Sequence, residues 1–203
     1  MKAAPPRRSR LPAAERRRQI IEVTTRQIAE RGFWGLSMQD VADVCGVTVP
    51  GLLHHVGSKD SLLVAVLEHR DEEDARSLAA EVGVSPEQIW SDDPAEITLP
   101  QICSALVRRN AGQPEIVRLF AVLEAESLAP DHPAHRYFRD RQQRTLQMFG
   151  ALASGRVADP AALAGQVVAM MDGLQIQWLR DPGSVDLVSA WEAAAERLFS
   201  GLR

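Results

Sequence analysis

Cysteine is nearly absent from this chain: Cys45 and Cys103 are the only two in 203 residues. They lie in different segments, so no disulfide framework is expected. A reducing cytoplasm suits them as small buried hydrophobes. Long hydrophobic runs are missing as well. No segment approaches the roughly 20 apolar residues of a membrane span, so no membrane partner is expected. The basic N-terminus MKAAPPRRSRLPAAERRR has no apolar stretch behind it and does not read as a secretory signal. Alternating β-branched runs are scarce while helix formers dominate, which predicts an all-α protein. There is no nucleophile–base motif, no phosphate-cradling glycine loop and no convincing pair of carboxylates. His132 and Glu124 are too isolated to suggest catalysis. These absences speak against an enzyme, and no cofactor is expected. No internal repeat is evident.

What is present is unevenly distributed. Hydrophobic residues make up 45% of the chain, enough for a core in one large or two small domains. The formal net charge of −4 conceals a division. Residues 1–59 hold ten basic and five acidic residues, a net of +5, and the remainder holds 13 and 22, a net of −9. An acidic protein with a basic first third suits nucleic-acid contact confined to one end.

That basic third contains two short helical patterns joined by a tight turn. Ser37 can cap a helix, and Asp40 suits its first turn. Val41, Ala42, Val44 and Cys45 supply an apolar face, and Gly46 can adopt the left-handed conformation that ends it. Thr48 can cap a second helix with Pro50 in its first turn, where a missing N–H costs little. Leu52 and Val56, four apart, face inward. Val49, Gly51, Leu53, His54 and His55 occupy the other faces. Gly57 stops the helix and Ser58 caps the next. Lys59 stands at a helix N-terminus, where a cation is not favoured, so it is expected to meet something negative.

In its order and spacing, the run IAERGFWGLSMQDVADVCGVTVPGLLHHVGSKDSLLVAV resembles the DNA-binding domain of TetR/AcrR-family transcriptional repressors. The resemblance extends over residues 15–67. It implies that Ser37, Thr48, Val49, Pro50, Gly51, Leu53, His54, His55 and Lys59 face double-stranded DNA. The chain departs from the family where an aromatic residue is usual, at Leu53, His55 and Val56. Leu53 is suited to a thymine methyl and His55 to a phosphate or base.

Further along, helices are predicted at 13–31, 99–111, 114–128, 132–154, 160–180 and 184–201, with another from Lys59 onward. Phe33, Trp34 and Leu36 read as core or packing, with Trp34 alternatively flanking the DNA backbone. The run EHRDEED reads as a solvated face, and 83–100 as a loop with a short helix or turn. In DHPAH, Asp131 reads as a helix cap, with His132 and His135 on the surface or in packing; without a third ligand, no metal site is expected. Leu163, Val167, Met170 and Leu174 recur at intervals of three or four, as do Val188, Trp191, Ala195 and Leu198. Two helices apolar on more than one face need two burial partners, which predicts a homodimer interface. The resemblance further implies an effector pocket in the body. Candidate lining residues are Ile102, Leu106, Val117, Phe120, Leu123, Met148, Met171 and Trp178, with Glu124 and Gln175 as polar anchors. Each of these also fits plain core.

The expectation is thus an all-α chain with three parts. These are a disordered basic tail (1–12), a three-helix helix-turn-helix domain (13–58), and a helical ligand-binding and dimerisation domain (59–203). The function implied is a cytoplasmic, dimeric repressor, released from a near-palindromic operator by a small hydrophobic effector. The rival readings are a DNA binder without a ligand and an enzyme on a helical scaffold.

Overall fold

The computed structural model describes residues 11–83, 85 and 97–201, apart from the side chains of Phe33 and Val82. Most of the basic tail and of the 83–100 segment therefore lies outside the described residues.

The described residues form α1 (Ala13–Arg31), a 3₁₀ turn (Phe33–Gly35), α2 (Met38–Cys45), α3 (Val49–Val56) and α4 (Lys59–Val82). They continue with α5 (Leu99–Ala111), α6 (Pro114–Glu126), α7 (His135–Ala153), α8 (Pro160–Arg180) and α9 (Leu187–Leu198). No strand occurs among them.

Local chemistry sets most boundaries. The Ser37 hydroxyl accepts from the backbone N–H of Gln39 (3.2 Å) and Asp40 (3.4 Å) at the start of α2. Gly46 closes α2 at φ 65°, ψ 35°. Thr48 accepts from Gly51 N–H at 3.2 Å, and Ser58 from Ser61 N–H at 3.0 Å. Thr98 and Gln101 form a reciprocal capping box at α5. Asp159 and Asp186 cap α8 and α9. Gly32 sits at φ 74°, a conformation that favours glycine, and a Cβ there would make the Glu115 carboxylate of α6 move from its 2.9 Å approach.

Three boundaries differ from expectation. The sixth helix stops at Glu126 and the seventh starts only at His135. Asp131 is exposed and does not cap; no side chain caps α7. Instead, His132 Nδ1 accepts from Ala134 N–H (3.2 Å), and His135 Nδ1 lies 2.7 Å from the Ser127 carbonyl oxygen. These contacts hold a turn that periodicity alone would have run through as helix. At the C-terminal end, Ser184 bonds Asp181, so Asp186 becomes the cap and α9 starts at Leu187.

The apolar core forms two clusters that share helices. The first joins Ile20, Ile28, Val41, Leu52 and Leu62–Leu67 positions of α1–α4 to Ile116, Leu119 and Leu123 of α6 and Phe138 of α7. The second joins Leu78 of α4 and the buried face of α5 to Val117, Phe149, Val167, Trp178 and Trp191. Thus α4, α6 and α7 belong to both. Val44, expected on the buried face of α2, is 60% exposed, because that face is already filled by Val41, Ala42 and Cys45. Trp34, expected in packing, is 72% exposed, while Leu36 is buried.

The expected dimer set divides. Leu163, Val167 and Trp191 are buried in the chain's own second core, which corrects their assignment to an outer face. Met170 is exposed, and Leu174, Val188, Ala195 and Leu198 are half-buried. The three-to-four periodicity was correct, but it marked the face toward α5 and α7 together with its edges. Both cysteines are free and buried, and burial raises both thiol pKa values.

Candidate nucleic-acid interface and body cavity

At the N-terminal end, α2 and α3 form a helix-turn-helix against α1. Leu52 and Val56 turn inward, leaving Thr48, Pro50 and His54 exposed and Gly51, Leu53 and His55 half-buried on the outer side of α3. Val49 is also half-buried but packs on the first core, so less of it is free for contact. The rings of His54 and His55 meet edge to face, with centroids 5.6 Å apart. Gly51 is tightly placed: a Cβ would meet Thr48 Oγ1 at 3.2 Å. Lys59 Nζ donates to the Leu36 carbonyl at 3.3 Å. The bond ties α4 to the entry of α2. Arg16 makes a similar tie from α1, donating to the Cys45 carbonyl at 2.8 Å.

The body contains a cavity of about 400 Å³ among α4, α5, α6, α7 and α8. Seven expected residues line it: Leu106, Val117, Phe120, Glu124, Met148, Met171 and Gln175. Three do not. Ile102 and Trp178 are packed in the second core and Leu123 in the first, because their helices turn those positions away from the hollow. Leu128 and Ile176 line the cavity yet are exposed large hydrophobics, which marks its mouth.

The largest departure from the sequence reading is polar. The run EHRDEED is not simply a solvated face. Arg70 is 4% exposed, and its Nε lies 2.7 Å from Asp74 Oδ1. Asp74 also receives Arg109 Nε from α5. Asp71 accepts from Tyr137 OH (2.7 Å) and pairs with Arg141 Nε (3.1 Å), both on α7. The Arg141 guanidinium lies 4.8 Å from the centroid of the Phe120 ring. A second chain runs from Arg70 through Asn110 to Gln175, which bonds back to the Met171 carbonyl. Periodicity held the signal: Leu63, Leu67, Arg70, Asp74 and Leu78 continue one stripe at intervals of three or four. A charged pair interrupting an apolar stripe, not a run of charges, is the readable mark.

These surroundings shift several pKa values. Burial opposes the charge on Arg70 and lowers its pKa, against the pull of Asp74. Burial also opposes Arg141, but Asp71, Tyr137 and Glu124 together outweigh it and the pKa rises. Burial, then the nearby Asp71 charge, raises that of Tyr137. Asp172 on α8 is pushed up to about 6 by burial and then by Glu124, with Arg141 pulling the other way. Its accessible surface opens on the cavity, so protein surrounds a group that is nevertheless reachable.

Geometry therefore defines an all-helical protein with a helix-turn-helix at one end and a hollow, polar-lined body behind it. Residues 20–66 match the family described as bacterial regulatory proteins, tetR family. The transcriptional activator FasR of Mycolicibacterium smegmatis is 39% identical over 62 residues, which cover 30% of this chain and only 28% of that protein. The transcriptional regulator TtgR of Pseudomonas putida is 28% identical, with 90% of this chain and 89% of that one aligned. A crystal structure of a TetR transcription regulator from Haloarcula marismortui superposes with a TM-score of 0.73 at 20% identity, covering 94% of this chain and all of that one. Residues 20–66 thus resemble the tetR-family DNA-binding segment, and the whole chain shares the fold of a solved TetR regulator.

Proposed function

We propose that the chain is a dimeric, effector-controlled transcriptional repressor of the cytoplasm. The observation that carries this is the double role of α6. Val117, Phe120 and Glu124 on one side of α6 line the cavity, while Ile116, Leu119 and Leu123 on its other side are buried in the first core with α1 and α3. A ligand that changes the seating of α6 acts on the helices that carry the reading face. Helix α4 makes the same link, with Leu62–Leu67 positions in the first core and Arg70, Asp71 and Asp74 at the cavity. The mechanism is a population shift: the effector binds the released form more tightly than the DNA-competent form.

DNA contact is assigned to Ser37, Thr48, Val49, Pro50, Gly51, Leu53, His54, His55 and Lys59. In a homodimer, two such faces about 34–36 Å apart read half-sites one turn apart and require a near-palindromic operator. The face of α8 that a second copy would cover is Ala162, Gln166, Ala169, Met170, Gly173 and Gln177. These residues follow one side of the helix and are mostly exposed, and Ala162, Ala169 and Gly173 leave room for close helix approach. Leu174, Val188, Ala195 and Leu198 border it.

The test is selection of DNA sequences by the purified protein at stated salt, followed by a footprint of the best one. A two-fold symmetric site with steep salt dependence is the expected result. Only weak, sequence-independent binding would overturn the operator reading.

A further inference from the structure

We infer that the cavity takes an organic cation with an aromatic or branched apolar body, its charge received between Glu124 and Asp172. This rests on the reading of the cavity as an effector site and names what enters it. The charged residues lining the cavity are Arg70, Asp71 and Asp74 of α4, Glu124 of α6, Arg141 of α7 and Asp172 of α8. No lysine or histidine lines it.

Both arginines are engaged. Arg70 pairs with Asp74, which Arg109 also holds from outside the lining. Arg141 pairs with Asp71 and lies over Phe120. Glu124 and Asp172 are left over: among the described residues neither makes an ion pair within 4.0 Å. They come from facing helices, and burial first and Glu124 second raise the pKa of Asp172, with Arg141 pulling the other way.

Around them the walls are apolar, with Phe120, Phe149, Met148, Met171, Val117 and Leu106. An anion entering here meets two carboxylates outside any ion pair, offset only by the longer-range pull of Arg141, and finds both guanidiniums already paired. A neutral guest dehydrates those carboxylates and offers nothing in return. A cation relieves their mutual repulsion while its apolar part fills the hollow. It also keeps Asp172 ionised, so binding below about pH 6 must release protons.

The test is calorimetric titration of the full chain with three probes of similar size. These are benzyltrimethylammonium, its neutral isostere neopentylbenzene, and phenylacetate. The variants are Glu124→Gln, Asp172→Asn, the double variant, and Glu68→Gln as a control on an exposed position of α4. The expected result is preference for the cation and a loss of about tenfold or more for each single variant. Binding to the double variant should disappear and the control should be unchanged. At pH 5.5 the measured heat should depend on the buffer's ionisation enthalpy, and this dependence should vanish in Asp172→Asn. Preference for phenylacetate or the hydrocarbon, or an unchanged double variant, overturns the charge assignment but leaves the cavity reading standing. Failure of all three probes to bind the wild type overturns both.

Discussion

The two ends of this molecule are built from the same kind of helix, but they place polar residues in opposite ways. In the reading end, hydroxyls sit at helix starts and the interior is apolar: Ser37, Thr48 and Ser58 cap, while Ile20, Val41 and Leu52 are fully buried. In the body, charges are carried inward and paired across helices, as in Arg70–Asp74–Arg109 and Tyr137–Asp71–Arg141. The first arrangement fixes one shape from local instructions. The second surrounds a hollow whose walls hold together through partners up to 70 residues apart in sequence. A rigid reader and a hollow, charge-laced body are what coupling a ligand to a reading face requires.

The sharpest break in this contrast comes from removing one apolar residue at the reading end. Leu52 is fully buried between α1 and α4, and Leu52→Ala should cost about 4 kcal/mol of stability, the sum of lost transfer energy and an unfilled cavity. Denaturant unfolding followed by circular dichroism measures it. A loss below 1 kcal/mol would mean the first core is not the dense unit described.

In the body the corresponding break is polar. Asp74→Leu leaves the buried guanidinium of Arg70 facing Arg109 without its carboxylate, and should cost about 3 kcal/mol in the same assay. Adding Arg70→Met to that variant should restore part of the loss, because the uncompensated charge goes with it. If the double variant is no better than the single, the cost lies in packing and not in the unpaired charge.

This contrast also explains what could be read in the sequence. The reading end was legible almost residue by residue, since caps and turn glycines act on their own neighbours: Ser37, Gly46, Thr48 and Gly57 all end or start the helices expected of them. In the body the helices over 99–111 and 160–180 also form where they were expected, and the structure adds the caps that the sequence reading does not name, a capping box at one and Asp159 at the other. The cavity was legible only in its apolar walls. Phe120 and Met171 could be placed by periodicity, but Asp71 and Arg141 line it through a pairing across helices that no local rule announces. The dimer set failed in part for a related reason. Periodicity marks a buried face without saying what buries it, and Leu163, Val167 and Trp191 proved to be covered by their own chain.

Smaller effects test the cap logic. Thr48→Ala removes the acceptor for Gly51 N–H and should cost about 1 kcal/mol. Its effect on operator affinity should be larger than that stability loss alone explains, because Thr48 also stands on the exposed face of the proposed contact. Fluorescence anisotropy on the selected operator, beside a thermal melt, separates the two. Thr48→Ser should recover both.

The smallest effect concerns Asp172, and its sign distinguishes the hollow from a core. Its native pKa, raised to about 6 from an ordinary value of 3.8, means that the folded state holds this proton more tightly than the unfolded state does. Asp172 therefore costs the fold nothing below about pH 4, and its penalty grows as pH rises through 6. Asp172→Asn should accordingly be more stable than the wild type at pH 8, and the gain should fade between pH 6 and pH 4. Since the cavity leaves the group reachable by solvent, the gain should be no more than about 1 kcal/mol. Melting temperatures of the two proteins at pH 4, 6 and 8 give the answer. A gain that is the same at all three would mean that a packing change, not a carboxylate held beside Glu124 in a half-enclosed space, underlies it.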